Sequence, residues 1–204
     1  MKKQVAVVDY GLGNLFSIQA SLAYLGAEVI ITKEPHVLQQ ATAIVLPGVG
    51  AFGDAMKKLQ STELIPVLQE QVNNGKPLLG ICLGMQLLFD ESEEYGKHLG
   101  LGFLSGKVVS LASQLPKGTK IPHMGWNGLN FIHNQKGLKN GDAVYYVHSY
   151  HAIEVGDALL ATSDYNGVSI TGMVQKNNVW GTQFHPEKSG KIGLQILQNF
   201  LDWE

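Results

Sequence analysis

Residues 76–90, KPLLGICLGMQLLFD, hold the only cysteine of the chain, Cys82, between two apolar runs. KPLLGI reads as a buried strand and LGMQLLFD as a helix, which leaves Cys82 on the turn between them. A side chain on such a sharp strand-to-helix turn points outward. The free N–H groups and the dipole of the new helix favour a negative charge there. Both effects favour a nucleophilic thiolate. The competing reading is a small buried hydrophobe, since free cysteines are mostly core residues. The stretch alone leaves both open.

Upstream, short apolar runs alternate with helical patterns. QVAVVDY (4–10), AEVIIT (27–32) and TAIVLP (42–47) are strand runs. NLFSIQASLAYLG (14–26) has helical periodicity closed by Gly26. A short helical piece separates the second and third strands, and residues 53–75 hold one or two helices with a break expected at Pro66. This alternation predicts an α/β fold, a mostly parallel open sheet flanked by helices. Active sites in such sheets gather at the carboxyl ends of strands, where Cys82 falls. Downstream, residues 106–111, 128–132, 143–155, 159–165 and 167–187 read as additional strands with turn signals between them. The amphipathic pattern KIGLQILQNFLDWE (191–204) closes the chain as a helix. No linker, repeat or low-complexity tract interrupts residues 1–204, so a single domain is expected.

At 204 residues the chain is long enough to bury a full core. A formal charge of −2 argues against a nucleic-acid surface, which is usually strongly basic. All fifteen basic residues are lysine, so the side chain best suited to clamping phosphate is missing. One cysteine forms no internal disulfide, which fits a reducing compartment. The N-terminus runs straight into a strand pattern without a cleavable leader, and no apolar run approaches the ~20 residues of a membrane span. A soluble, cytoplasmic protein is expected.

Three further motifs bear on chemistry. DYGLGNL (9–15) lacks the third glycine of a dinucleotide fingerprint, because Phe16 stands there, and reads as a tight turn with Asn14 able to cap the next helix. PGVGAFGDAM (47–56) puts three glycines after a buried strand, a loop able to present N–H groups to an anion. TQFHPEKSG (182–190) offers Cys82 a partner. If FHPE is extended, His185 and Glu187 project to one side, and Glu187 can fix the imidazole so that its other nitrogen faces a nucleophile. His148 and His151, three apart on a strand, point to opposite faces, and no second cysteine is present. No metal and no cofactor is expected.

With these residues assembled, the chain resembles the class I, triad-type glutamine amidotransferases along essentially its whole length. GICLGMQ followed downstream by FHPE carries the resemblance. More narrowly, it is similar to the glutaminase subunits of imidazole glycerol phosphate synthase, on DYGLGNL, LPGVGAFGDAM, GICLGMQLLFDESEE, PHMGWN (122–127), YYVHSYH and FHPEKSG. The resemblance implies Cys82 as nucleophile, His185 as general base and acid, and Glu187 as its orienting carboxylate. It implies Gln86 and Glu94 as glutamine-binding residues, with His148, Ser149 and Tyr150 meeting the substrate's α-amino and α-carboxylate groups. Gly48, Val49 and Gly50 take the oxyanion-loop position, with the N–H groups of Val49 and Leu83 as oxyanion donors. Val49 replaces the second glycine of the Pro-Gly-Gly found in many amidotransferases, a departure expected in the narrower group. The implied partner is a (β/α)₈-barrel cyclase forming a heterodimer, with Asn14, Trp126 and Lys188 on the shared face. The rivals are the glutaminase of pyridoxal phosphate synthase, whose loop keeps Pro-Gly-Gly, a non-catalytic subunit, and a cysteine peptidase on a similar fold.

Overall fold

A computed structural model describes residues 3–203; Met1, Lys2 and Glu204, the last residue of the expected final helix, lie outside the described residues. The chain opens as β1 (Gln4–Val8), α1 (Leu15–Tyr24), β2 (Glu28–Thr32), α2 (Pro35–Gln40) and β3 (Ala43–Leu46). It continues through α3 (Phe52–Ser61), α4 (Leu64–Asn73), β4 (Leu78–Ile81) and α5 (Leu83–Gln86). The main sheet has eight strands, and its first half is parallel, in the order β2-β1-β3-β4.

The two faces of this sheet separate by residue parity, as alternating side chains require. Ala6, Val8, Ile44 and Leu46 face α2, α3 and α4 through Leu38, Phe52, Leu59, Leu64 and Leu68. Val5, Val7, Ala43 and Val45 face α1 through Ile18 and Leu22. On that second face also lies the final helix, α6 (Gly190–Asp202), with Ile196, Leu197 and Phe200 buried. Gly26 caps α1 as expected. It has φ 88° and its N–H bonds to the Ala23 carbonyl, while Ala27 N–H reaches Leu22.

Two expectations change. The break between α3 and α4 is not at Pro66 but at Thr62–Glu63, where Glu63 adopts φ 59°. Pro66 is the third residue of α4, where an N–H would have no intrahelical acceptor, so the helix tolerates it. The helix after Cys82 is also shorter than expected. It ends at Gln86, and Phe89–Ser92 becomes a strand, β5. The carbonyls of Leu87 and Leu88 accept hydrogen bonds from the N–H groups of Leu101, Phe103 and Leu104. Backbone partners from a distant segment thus replace the next helical turn.

That segment begins a second, four-stranded sheet. It holds β5, β6 (His98–Leu99), β7 (Leu104–Ser110) and, at its edge, Tyr150–Ile153. After β7 come β8 (His123–Gly128), β9 (Asn130–Phe131) and β10 (Ala143–His148), with β8 and β10 paired antiparallel. The Tyr150–Ile153 strand is β11, and β12 (Leu159–Tyr165), β13 (Val168–Lys176) and β14 (Val179–Thr182) return to the main sheet. There β14 pairs parallel with β4 and antiparallel with β13, joining the parallel half to an antiparallel one. The pairing sets the chain that follows β14 beside the chain that follows β4, and so His185 beside Cys82.

Candidate active site

Cys82 follows β4 with φ 55° and ψ −111°, dihedrals open chiefly to glycine and costing a non-glycine residue about 1–3 kcal/mol. Glycines on either side make the turn possible. A Cβ on Gly84 would run into the Leu46 carbonyl, and one on Gly80 would lie 2.7 Å from the Gly84 oxygen. Side chains there would push the elbow off the end of β3. The Cys82 N–H donates to Thr182 at 2.7 Å, which ties the elbow to β14. A single turn of helix has little macrodipole, so the expected dipole contribution shrinks. The free first-turn N–H groups, beginning with Leu83, remain.

Above the elbow lies a cavity of about 370 Å³. Cys82, Leu83 and His185 line it together with Val49 and Gly50 from one side and Gln86 and Glu94 from another. His148, Ser149 and Tyr150 complete it between β10 and β11. These expected site residues converge from separated parts of the chain; Gly48, behind Val49, is absent from the lining.

His185 Nδ1 lies 2.8 Å from Glu187 Oε1, but not by the expected route. Pro186–Lys188 form a 3-10 turn rather than extended chain, and the turn brings the carboxylate back to the Nδ1 edge of the ring. The Glu187 side chain is fully buried and, among the described residues, its Oε2 has no partner and His185 is its one hydrogen-bonding group. Burial opposes the charged imidazolium, but hydrogen bonding and charge from Cys82 and Glu187 outweigh it and lift the His185 pKa to about 9. At neutral pH the ring is therefore a proton donor. Although Cys82 is near enough to contribute to that shift, the contacts of its sulfur are to the Val147 carbonyl at 4.0 Å and the Gln183 amide at 3.9 Å.

The 48–50 loop is clamped at both ends. Tyr10 donates its hydroxyl to the Pro47 carbonyl at 2.7 Å, and Glu94 Oε2 accepts the Phe52 N–H at 2.7 Å. Burial raises the Glu94 pKa, partly offset by that N–H. Gly48 is a packing glycine: a Cβ would lie 2.6 Å from the Tyr10 hydroxyl and 2.9 Å from the Gly84 nitrogen. Gly50, by contrast, has φ 102° and open space around its Cβ position. Of the two glycines in this loop, only Gly50 has open space where a Cβ would stand.

Asn14, Trp126 and Lys188, expected on a partner face, are absent from the cavity lining. Trp126 is 60% exposed and stacks edge-on with Tyr145 at 6.0 Å. Tyr145 accepts the His185 N–H through its carbonyl and donates its own N–H to Ser189, on either side of exposed Lys188. Asn14 occupies the N-cap of α1, but its side chain makes no capping bond. That overturns the capping role read from the sequence.

His148 and His151 have separate partners. His148 bonds to His123 and to the Tyr150 carbonyl, and His151 to Gln114. Burial first of all lowers the pKa values of His123 to about 4, His148 to about 3 and His151 to about 4. The unfolded chain therefore binds protons below about pH 6.5 that the folded chain refuses. Stability is untouched by these groups above that pH and falls as pH drops from 6.5 towards 4. The expected slope approaches about 1.4 kcal/mol per pH unit per histidine. His185 works oppositely: its contribution is complete below pH 6.5 and is lost as pH rises through about 9. Denaturant titrations at pH 7, 6 and 5 check the acid limb. A flat stability over that range would contradict it.

Sequence reading missed Gln183, Tyr10 and the His123–Asn127 pair. Gln183 was within reach, two residues before His185 and so on the same side of an extended segment. Tyr10 and His123 carried no comparable signal.

The class-I glutamine amidotransferase family model matches residues 6–203. The chain is 50% identical to imidazole glycerol phosphate synthase subunit HisH of Geobacillus sp. (strain WCH70), over 96% of this chain and 95% of that protein. It is 49% identical to the protein of the same name from Bacillus subtilis (strain 168), over 96% and 94%. In fold it is similar to the structure of PurLQS from Thermotoga maritima, with a TM-score of 0.77, 21% identity and 99% of each chain covered. Identity at this level over nearly the full length of both chains places the protein in the class I glutamine amidotransferase family, beside the HisH subunits of imidazole glycerol phosphate synthase.

Proposed function

We propose that this chain hydrolyses glutamine to glutamate and ammonia and delivers the ammonia to a cyclase subunit. That subunit forms imidazole glycerol phosphate and an aminoimidazole carboxamide ribotide in histidine biosynthesis. The observation that carries this reading is the convergence of Cys82 and the His185–Glu187 pair on one cavity. The Cys82 thiolate attacks the carboxamide carbon, and the resulting oxyanion takes N–H donors from Leu83 and Val49. As the C–N bond breaks, the His185 imidazolium gives its proton to the departing ammonia. Neutral His185 then takes a proton from the water that attacks the thioester, releasing glutamate. Glu94 and the 148–150 segment hold the amino-acid end. Gln86 spends both amide hydrogens inside the protein, on Tyr150 and Gln183, so its oxygen is the group left for substrate.

Ammonia released into water is protonated and ceases to be a nucleophile, so a docked partner covering the cavity follows from the chemistry. Ile121, Met124 and Trp126 are exposed along the segment whose Pro122 lines the cavity. This apolar strip suits a (β/α)₈-barrel cyclase in a cytoplasmic heterodimer across Asn14, Trp126 and Lys188. Among the described residues no helix is long and apolar enough to cross a membrane.

Trapping with 6-diazo-5-oxo-norleucine, with protection by glutamine, tests the glutaminase. Labelling that glutamine does not slow would favour a peptidase. Copurification with a cyclase subunit tests the partner. Trp126→Ala is expected to weaken that complex about tenfold or more, as loss of a central aromatic anchor does. Lys188→Ala is expected to reduce ammonia transfer. Unchanged affinity and transfer in both variants would remove the assigned face.

A further inference from the structure

We infer that Gln183 is a catalytic residue, donating an amide hydrogen to the Cys82 sulfur through a hydrogen-bond network with only one possible polarity. Gln183 is fully buried, and its Nε2 lies 3.9 Å from Sγ. Side-chain amides can be turned end for end, so the choice of nitrogen over oxygen has to be fixed by neighbours. Here it is. The Tyr150 carbonyl is an acceptor only, and the Gln86 amide meets it at 2.9 Å, so the group there is Gln86 Nε2. The same nitrogen lies 3.0 Å from Gln183 and needs an acceptor, which places Gln183 Oε1 against it. Gln183 Nε2 is left facing the sulfur.

The far side of the Tyr150 carbonyl is equally constrained. His148 Nδ1 reaches it at 2.9 Å and must carry the proton. His148 Nε2 then accepts from His123 Nδ1 at 2.9 Å. His123 Nε2 in turn accepts from Asn127 Nδ2 at 3.3 Å, whose other hydrogen goes to the Asp164 carbonyl at 2.7 Å. Tyr146 and Tyr165 stack on His123 with centroids 4.5 and 4.0 Å away. Both imidazoles remain neutral at physiological pH because burial holds their pKa values low. Protonation therefore does not reverse the chain. The carbonyls of Tyr150 and Asp164 fix His148, His123 and Asn127 between them, and the Tyr150 carbonyl by itself fixes Gln86 and, through it, Gln183. The result at the nucleophile is a donor. The flipped amide would set a carbonyl oxygen against a thiolate and repel it.

This inference rests on Cys82 being the nucleophile, and the test keeps the two apart. Iodoacetamide alkylates a thiolate without needing glutamine to bind. In the full chain, Gln183→Met is expected to slow Cys82 alkylation at pH 7 about tenfold and to move its pH profile to higher pH, the scale of one charge-assisted hydrogen bond. Gln86→Glu never touches the sulfur but offers Gln183 only an acceptor where it had a donor. It is expected to turn the Gln183 amide over and slow alkylation likewise. Alkylation unchanged in Gln183→Met overturns the inference; if that variant does not fold, unchanged alkylation in Gln86→Glu does so. In the unsubstituted chain, the Gln183 side-chain amide resonances are expected to move over the pH range in which alkylation accelerates, and static resonances overturn it too. Glutaminase surviving Cys82→Ala would defeat the nucleophile itself. A dead Cys82→Ala with alkylation indifferent to Gln183 would defeat this inference alone.

Discussion

Cys82→Ala is expected to lower glutamine-dependent turnover by at least about 10⁴-fold, the scale on which triad enzymes suffer when the nucleophile is removed. Turnover of the complex on added ammonia should survive, because the partner's chemistry needs only the nucleophile that this subunit supplies. The backbone adds a control. At φ 55° and ψ −111°, Cys82 is strained for any residue bearing a Cβ, and alanine inherits the strain while glycine relieves it. Cys82→Gly is therefore expected to be as inactive as Cys82→Ala but more stable, by about 1 kcal/mol. Activity and stability would then move independently at one position. Loss of both glutamine- and ammonia-dependent turnover, with a lowered melting temperature, would make Cys82 structural instead.

The free subunit is expected to be nearly silent, with kcat/KM for glutamine rising about 100-fold or more when the cyclase and its ligand bind. That rise corresponds to moving the productive loop from about 1% to nearly full occupancy. The 48–50 loop is the element proposed to move. Its ends are fixed by the Tyr10–Pro47 and Glu94–Phe52 hydrogen bonds, and the close approach of Tyr10 and Gly84 leaves no room for a side chain at Gly48. The Val49 N–H belongs to the Gly48–Val49 peptide, so turning it rotates ψ of Gly48 and φ of Val49; Val49 is 41% exposed, and Gly50, unhindered beyond it, can absorb the change. A β-branched residue resists the dihedrals that turning its own N–H toward Cys82 requires. Differential contacts with a docked partner would supply that cost. Val49→Gly is expected to raise the free subunit's activity and shrink the activation. Equal kcat/KM in the free subunit, the complex and the liganded complex would refute the switch.

Much of this protein was legible in its sequence because the determining patterns are local. Alternating apolar runs and helical periods gave the parallel half of the sheet, and Gly26 gave a helix end. The strand run and helical run meeting at Cys82 marked an elbow, and the absent Cβ of Gly80 and Gly84 lets that turn sit against β3 and β4. Most residues lining the cavity, Pro122 and Val147 excepted, were named from motifs within single segments. Where several segments compete for the same backbone groups, the tertiary structure decided. Leu87 and Leu88 turn out of the helix and Phe89 opens a strand because residues 101–104 donate to their carbonyls. Glu187 meets His185 through a 3-10 turn, whereas the extended chain read from HPE would have reached the same contact by another path. Gly48 and Gly50 look alike in sequence, yet one is walled in by Tyr10 and Gly84 and the other is open. The direction of the network ending at Cys82 is the extreme case. Each amide or imidazole in it could face either way by itself, and the acceptor-only Tyr150 carbonyl, brought against Gln86 and His148 by folding, leaves a single orientation.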